Sequence, residues 1–126
     1  MAELILDFYQ KENEYSDGAD VEARILDLVR NIPPEAYEKL ENAEWPVFYH
    51  LSPLRENILN RYPFKRDATI LEVGSGSGAI TGLLCRRAKS VVSVELTKVR
   101  ASINFERHKQ YLDFKIYVGN LVNPAF

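Results

Sequence analysis

The chain has 126 residues, of which 46% are hydrophobic and 27% charged, and its 16 basic and 18 acidic residues leave a formal net charge of −2. This length and composition fit one modest folded domain and exclude an intrinsically disordered chain. The near-balanced charge excludes a global basic field that would recruit nucleic acid. The single cysteine, Cys85, excludes an internal disulfide and a cysteine-cluster metal site.

The N-terminus lacks the basic and apolar regions of a signal peptide, and no run approaches the ~18 apolar residues that cross a bilayer. We therefore predict a cytoplasmic chain with no membrane partner.

Helical patterns dominate residues 1–66. Leu4, Ile5, Phe8 and Tyr9 predict a helix over residues 3–15, which breaks at residues 16–18. A second helix is capped by Asp20 and carries the apolar stripe Val21, Ile25, Leu28 and Val29. Pro34 opens a further turn through Tyr37 and Leu40. The acidic residues of this region are expected to form a solvated outer face: Glu12, Glu14, Glu22, Asp27, Glu35, Glu38, Glu41 and Glu44.

An aromatic cluster over residues 45–51 is interpreted as a packing hinge, with Trp45 and Tyr49 as core residues. Ser52 and Pro53 then begin a helix from residue 54 to about residue 61, with Leu54, Ile58 and Leu59 turned inward.

From residue 67 onward, strands and helices alternate. The predicted strands cover residues 69–73, 90–94 and 114–118, and the predicted helices cover residues 78–88 and 97–110. This alternation is typical of an α/β fold with a parallel sheet and right-handed crossovers.

A glycine cluster, Glu-Val-Gly-Ser-Gly-Ser-Gly over residues 72–78, follows the first of these strands. Glycines let a loop turn sharply and approach a ligand closely, and parallel sheets bind ligands at the carboxyl ends of their strands. A phosphate-binding P-loop is excluded because no lysine lies between Gly74 and Lys89. A dinucleotide site stays open, since Gly74, Gly76 and Ala79 fit its glycine pattern and Glu95 follows at about the expected 20 residues.

Two details favour a third interpretation, an S-adenosylmethionine site. Glu72 lies at the end of the strand, where a carboxylate would repel a pyrophosphate and attract the ammonium group of a methionine moiety. Asn120 follows the third strand, where its amide can both donate to and accept from an adenine edge.

Together, residues 72–78, Val94-Glu95 and Val118-Gly119-Asn120 resemble the cofactor motifs of class I S-adenosylmethionine-dependent methyltransferases. The resemblance covers residues 67–122 and implies a Rossmann-like fold, of which this chain holds the first half (residues 67–126) behind an N-terminal helical cap (residues 1–66). Asn120 stands where the family more often has Asp. The cofactor contacts that the resemblance implies are Glu72, Gly74, Ser75, Gly76, Gly78, Glu95, Leu96, Gly119, Asn120 and, from the cap, Tyr49.

The motifs over residues 15–18, 45–57 and 88–91 together resemble methyltransferases associated with bacterial glycosyltransferases of polysaccharide pathways. This resemblance implies a glycan or glycan-precursor acceptor, and it places Tyr49, His50 or Arg55 near the cofactor carboxylate. Arg55 has an equal alternative as a salt-bridge partner of the acidic helices, and His50 has no partner that would identify it as a general base.

Methyltransferases of this kind have a seven-stranded sheet, so we expect the chain to be an N-terminal fragment that binds the cofactor weakly and does not catalyse. The catalytic residues and any metal ligands would lie after Phe126. The strand over residues 69–73 would then have an open edge, which predicts a homodimer.

Three alternatives remain. The rRNA adenine methyltransferases share the glycine motif and the Val-Glu pair, although the acidic helices weigh against an RNA partner. A non-catalytic nucleotide-binding or glycosyltransferase-assembly module is the second, and a nicotinamide-dependent dehydrogenase is the third.

Overall fold

The computed structural model describes residues 1–15, 18–39 and 44–126, and it contains a four-stranded parallel sheet with helices packed against it. The strands are β1 (Glu3–Ile5), β2 (Thr69–Val73), β3 (Ser90–Glu95) and β4 (Phe114–Val118), in the spatial order β1-β4-β3-β2. All three pairings are parallel, and Val73 lies opposite Val94 where β2 and β3 end. The predicted α/β fold is confirmed, with one strand more than expected.

Four α-helices accompany the sheet: α1 (Ala19–Asn31), α2 (Trp45–Leu51), α3 (Thr81–Arg87) and α4 (Lys98–His108). Short 3-10 helices cover Lys11–Asn13, Pro34–Lys39 and Pro53–Ile58. Both helices predicted after residue 67 are present but shorter, since the glycine-rich turn extends to residue 80 and α4 ends at His108. No helix in the described ranges is long and apolar enough to cross a bilayer.

The helix predicted over residues 3–15 is wrong. Residues 3–5 form β1, which pairs with β4 so that Leu4 lies opposite Ile116. Adjacent apolar residues such as Leu4 and Ile5 fit either period, and the open edge of β4 decides between them by offering main-chain partners. β1 belongs to the same sheet as the strands after residue 67. The division of the chain into a cap (residues 1–66) and a Rossmann-like part (residues 67–126) stays a prediction.

The second predicted helix is confirmed as α1, in which Ile25 and Val29 are buried against Ile103 of α4. Its cap was predicted wrongly, because Gly18 is the N-cap residue and Asp20 lies within the first turn. Ser16 and Asp17 of the predicted break lie outside the described residues, as do Leu40 and Glu41 and the side chain of Glu38.

The acidic face of these helices contains one exception. Glu22 is 3% exposed, and its Oε1 accepts a hydrogen bond from Arg100 Nε at 2.9 Å. Glu22 therefore ties α1 to α4, and the prediction that this carboxylate is solvated is wrong.

The aromatic cluster forms α2 rather than a hinge. Trp45 is 70% and Tyr49 44% exposed, so their assignment to the core is wrong, whereas Leu51 is buried. Ser52 caps the next 3-10 helix as predicted, since its Oγ accepts from Leu54 N at 3.3 Å. That helix ends at Ile58, and Leu54 and Ile58 face solvent rather than the core.

Candidate functional site

The glycine-rich loop leaves the carboxyl end of β2 and turns toward β3. Gly74, Gly76 and Gly78 have φ values of 70°, 56° and 82°, a region that favours glycine. The amides of Gly74 and Ser75 both donate to Val94 O, at 2.8 and 3.2 Å. The loop is thus fixed over the end of the sheet, where open α/β sheets bind ligands.

Glu72 lies at the base of this loop. Its Oε2 accepts hydrogen bonds from Ser93 Oγ at 2.6 Å and from Thr81 Oγ1 at 2.7 Å. Its Oε1 has no hydrogen-bond partner among the described residues, and no cation in them forms an ion pair with it. Burial raises the pKa of the Glu72 carboxyl, the two hydroxyl donors oppose that rise, and the charge of Glu95 adds to it.

A chain of hydrogen bonds runs from α4 to Glu72. His108 Nδ1 bonds Asn104 Oδ1 at 2.7 Å, and Asn104 Nδ2 donates to Thr81 Oγ1 at 3.0 Å. Burial lowers the pKa of His108 to about 3, so the ring is neutral and carries its proton on Nδ1, facing two acceptor oxygens of Asn104. Every donor therefore points toward Glu72, and the aligned dipoles stabilise its ionised form.

Gly78 makes room for this chain. A Cβ at Gly78 would lie 2.7 Å from Asn104 Cγ and 2.8 Å from His108 Cε1, closer than packed atoms approach. Gly78 is buried behind the loop, so packing against Asn104 requires a glycine there whether or not a cofactor touches it.

Glu95 ends β3 and holds the loop from the other side. Its Oε2 accepts from Gly76 N at 2.8 Å, and its Oε1 accepts from Thr97 N at 3.0 Å and Thr97 Oγ1 at 3.3 Å. Thr97 is the N-cap residue of α4, but its side chain makes no capping hydrogen bond because its hydroxyl bonds Glu95 instead. A carboxylate has about four acceptor sites, so Glu95 keeps capacity for a further donor.

A cavity of about 310 Å³ separates the glycine loop from α2. Its lining residues are Tyr49, His50, Arg55, Glu72, Val73, Gly74, Ser75, Gly76, Ser77, Ala79, Ile80 and Arg100. Five of the predicted cofactor residues thus meet at one cavity: Tyr49, Glu72, Gly74, Ser75 and Gly76. Within the described part of the chain, the buried hydroxyls of Ser75 and Ser77 have no hydrogen-bond partner.

Arg55 and His50 reach this cavity from the segment over residues 45–58, and Arg100 reaches it from α4. The Arg55 guanidinium lies 4.6 Å from the centre of the Tyr49 ring, whereas Arg100 is bonded to Glu22. Burial and the charge of Arg100 lower the pKa of His50, so this imidazole is neutral at neutral pH. The salt bridge between Arg55 and the acidic helices, which was one of its two predicted roles, is not present among the described residues.

The other predicted cofactor residues do not line this cavity: Gly78, Glu95, Leu96, Gly119 and Asn120. Phe126 and Phe8 pack on Gly119, where a Cβ would lie 2.6 Å from the Phe126 ring. Asn120 Oδ1 accepts from Val122 N at 3.1 Å, which leaves its NH₂ group as the available donor.

Sequence reasoning missed the partners of Glu72. Ser93 interrupts an apolar strand, and a polar residue in such a run is the signal that could have identified it. Thr81 and Asn104 lie on two different helices, and nothing in their local sequence indicates that they meet.

We expect Glu72→Gln to raise the free energy of unfolding at pH 7, because burial disfavours the charged carboxylate and an amide removes that charge. The raised pKa means that the wild-type chain loses stability as pH rises through it, so the difference should shrink toward pH 4.5, the ordinary pKa of the group. Urea denaturation at both pH values measures this.

Glu106→Gln is the matched control. Lys109 and Arg30 lower the pKa of Glu106, so this substitution should lower stability at pH 7. If Glu72→Gln destabilises the chain as Glu106→Gln does, burial of the charged Glu72 carboxylate does not destabilise the fold.

The known proteins that the chain resembles are methyltransferases. No family model matches the chain. Over 71 residues it is 34% identical to the ribosomal RNA small subunit methyltransferase A of Syntrophus aciditrophicus, a match that covers 56% of this chain and 25% of the relative. Over 84 residues it is 33% identical to an rRNA adenine N-6-methyltransferase of Bacillus licheniformis, covering 63% of this chain and 29% of the relative.

Among solved structures, the chain resembles Haemonchus contortus phosphoethanolamine N-methyltransferase 1 in complex with phosphoethanolamine and S-adenosylhomocysteine. The TM-score is 0.53 at 19% identity, and the match covers 80% of this chain and 21% of that one. The chain thus spans between a fifth and a third of the length of these three proteins. It has the Rossmann-like fold of the methyltransferases, and the proteins it resembles by sequence are methyltransferases.

Proposed function

We propose that the chain is the S-adenosylmethionine-binding part of a methyltransferase. The observation that carries this proposal is Glu72, a largely buried carboxylate that lines the cavity with Oε1 unbonded among the described residues. A ligand ammonium would supply the missing cation, whereas the pyrophosphate of a dinucleotide would be repelled. The nicotinamide-dependent alternative therefore has less support than the methyltransferase.

The rest of the cavity fits the amino-acid end of this cofactor. Ser75 and Ser77 line the cavity with buried hydroxyls that have no partner among the described residues, and Arg55 offers a guanidinium to the α-carboxylate. The cavity volume of about 310 Å³ lies within the range of ligand sites, about 300–1,000 Å³. Glu95 would receive the ribose hydroxyls at its remaining acceptor sites, and Leu96, Gly119 and Asn120 would flank the adenine.

When bound, the cofactor supplies a methyl group activated by its sulfonium. The residues of this chain would hold the cofactor and exclude water around it, so that an acceptor can approach the methyl carbon in line. Catalytic groups for the acceptor are not assigned to this chain.

Calorimetric titration tests the proposal. S-adenosylhomocysteine should bind and NAD should not, and Glu95→Ala should weaken binding by about tenfold or more, because a buried carboxylate that accepts hydroxyl donors is removed. Glu12→Ala, at an exposed carboxylate, should leave the affinity unchanged.

Binding of NAD alone would restore the dehydrogenase interpretation. Binding of neither compound would support a loop that only turns the chain, as in a non-catalytic module.

For the acceptor, we propose RNA. The sequence-based prediction was a glycan, with RNA as the alternative, but the relatives are named as rRNA methyltransferases. A glycan acceptor and a glycosyltransferase partner stay predictions with no support from these relatives.

One feature of the chain favours RNA. Five exposed cations, here called the basic patch, gather at the amino ends of β2 and β3: Arg61, Lys65, Arg66, Arg87 and Lys89. Arg87 Nη2 donates to Asn60 Oδ1 at 3.0 Å and Lys89 N to Ala68 O at 2.9 Å, which brings the end of α3 against the segment before β2. The patch lies opposite the glycine loop, so it would hold phosphates and leave the acceptor base to the cofactor end.

A gel shift with a short RNA hairpin tests the basic patch. We expect salt-sensitive binding, and the combined change Arg61→Gln, Lys65→Gln and Arg66→Gln should lower the slope of log K against log salt by about 2 to 3, as the loss of three phosphate contacts requires. The matched control changes Lys11, Lys109 and Lys115 to Gln, since the last two already pair with Glu106 and Glu3. If the patch variant and the control variant weaken RNA binding equally, or if the wild-type chain binds no RNA, the basic patch does not support an RNA acceptor.

We also propose that two copies pair through β2. This strand bonds only β3 within the described residues, and Leu71 and Val73 are 60% and 58% exposed. An open apolar strand edge is a template for a second chain. Light scattering should therefore give a dimer, and Leu71→Lys should give a monomer, whereas Leu112→Lys, at another exposed leucine, should not. A monodisperse wild-type monomer at working concentrations would contradict this.

A further inference from the structure

Arg107 of α4 is a buried cation without an acidic partner. It is 8% exposed, and none of the ion pairs in the described part of the chain includes it. Its Nη1 donates to Ser77 O at 2.6 Å and to His50 O at 3.0 Å, its Nε has no partner there, and its guanidinium lies 5.8 Å from the Tyr37 ring centre.

The two carbonyls belong to opposite walls of one cavity. Ser77 lies in the glycine loop and His50 in α2, and both residues line the space that Glu72 faces. No hydrogen bond within the described residues joins α2 directly to the loop. Arg107 therefore connects the walls from behind, and its guanidinium sets their separation without touching the space between them.

Burying the Arg107 charge without a carboxylate partner destabilises the fold. Burial lowers the pKa of Arg107 to about 10, which reflects the loss of hydration around its charge. A buried positive charge is ordinarily paired with a carboxylate. Replacing a buried charged residue by an apolar side chain of similar size often leaves the protein equally or more stable. A rigid planar donor that bonds two main-chain oxygens offers what an apolar side chain cannot, a fixed distance between two backbone segments.

We propose that Arg107 is a positioning residue for the amino-acid end of the cofactor, acting through Ser77 and His50. This inference rests on the proposed function. It assigns no ligand contact to Arg107, and it limits the effect to the part of the ligand inside the cavity. Glu95 and Asn120, which are proposed for the ribose and adenine, lie outside that cavity and keep their own hydrogen bonds.

Two ligands separate positioning from general support of the fold. S-adenosylhomocysteine carries the amino-acid end, whereas 5′-methylthioadenosine lacks it and retains the nucleoside. In Arg107→Met, the affinity for S-adenosylhomocysteine should fall by about tenfold or more, as for the loss of a charged hydrogen-bonding group, while that for 5′-methylthioadenosine stays within about twofold. Arg107→Lys keeps a charged donor and should recover part of the loss.

The measurements are made by calorimetry at a temperature where circular dichroism shows each variant folded. Arg30→Met is the matched control, because Arg30 ties α1 to Glu106 of α4 away from the cavity, and it should change neither affinity. If Arg107→Met does not fold, the selective loss must appear in Arg107→Lys.

Equal loss of both ligands, or no loss in a folded variant, would overturn the positioning role and leave the proposed function intact. A wild-type chain that binds neither ligand would overturn both.

Discussion

The site depends on keeping a carboxylate, Glu72, in a place from which water is largely withdrawn. Burial pushes its pKa upward, so the fold must supply donors, and Ser93 and Thr81 supply them to one oxygen while the other faces the cavity. Asn104 and His108 extend the same chain of donors into α4. Gly78 follows from this requirement, because any Cβ there would collide with Asn104. A single charge thus dictates residues on one further strand, two helices and a loop.

Two further side chains, Glu95 and Arg107, fix the glycine loop in place above the Glu72 carboxylate. Glu95 bonds Gly76 from the end of β3, and Arg107 bonds Ser77 from α4. Parallel pairing makes this possible, since β2 and β3 end at the same edge of the sheet and bring their carboxylates to opposite sides of one loop. α2 closes the other side of the cavity. The ring of Tyr49, an exposed aromatic residue of α2, packs against the Arg55 guanidinium.

Much of the fold after residue 67 could be predicted because its signals are local: β-branched runs, a glycine cluster and the two acids that follow strands. Three strands, the loop and the position of Glu72 were correct for this reason. The strand β1 was mistaken for a helix because three residues cannot show a period, and pairing with β4 decides their structure. Buried Glu22, the hydrogen-bond chain behind Glu72 and the role of Arg107 were not predictable, because each depends on a partner far away in the sequence.

A crystal structure of the chain with S-adenosylhomocysteine would show whether Glu72 binds the amino group of the ligand. We expect the ligand ammonium within hydrogen-bond distance of Glu72 Oε1, at about 2.7–3.2 Å, with the ligand carboxylate toward Arg55 and the ribose at Glu95. A ligand whose amino group lies away from Glu72, or a pyrophosphate compound seated on the glycine loop beside that carboxylate, would contradict it.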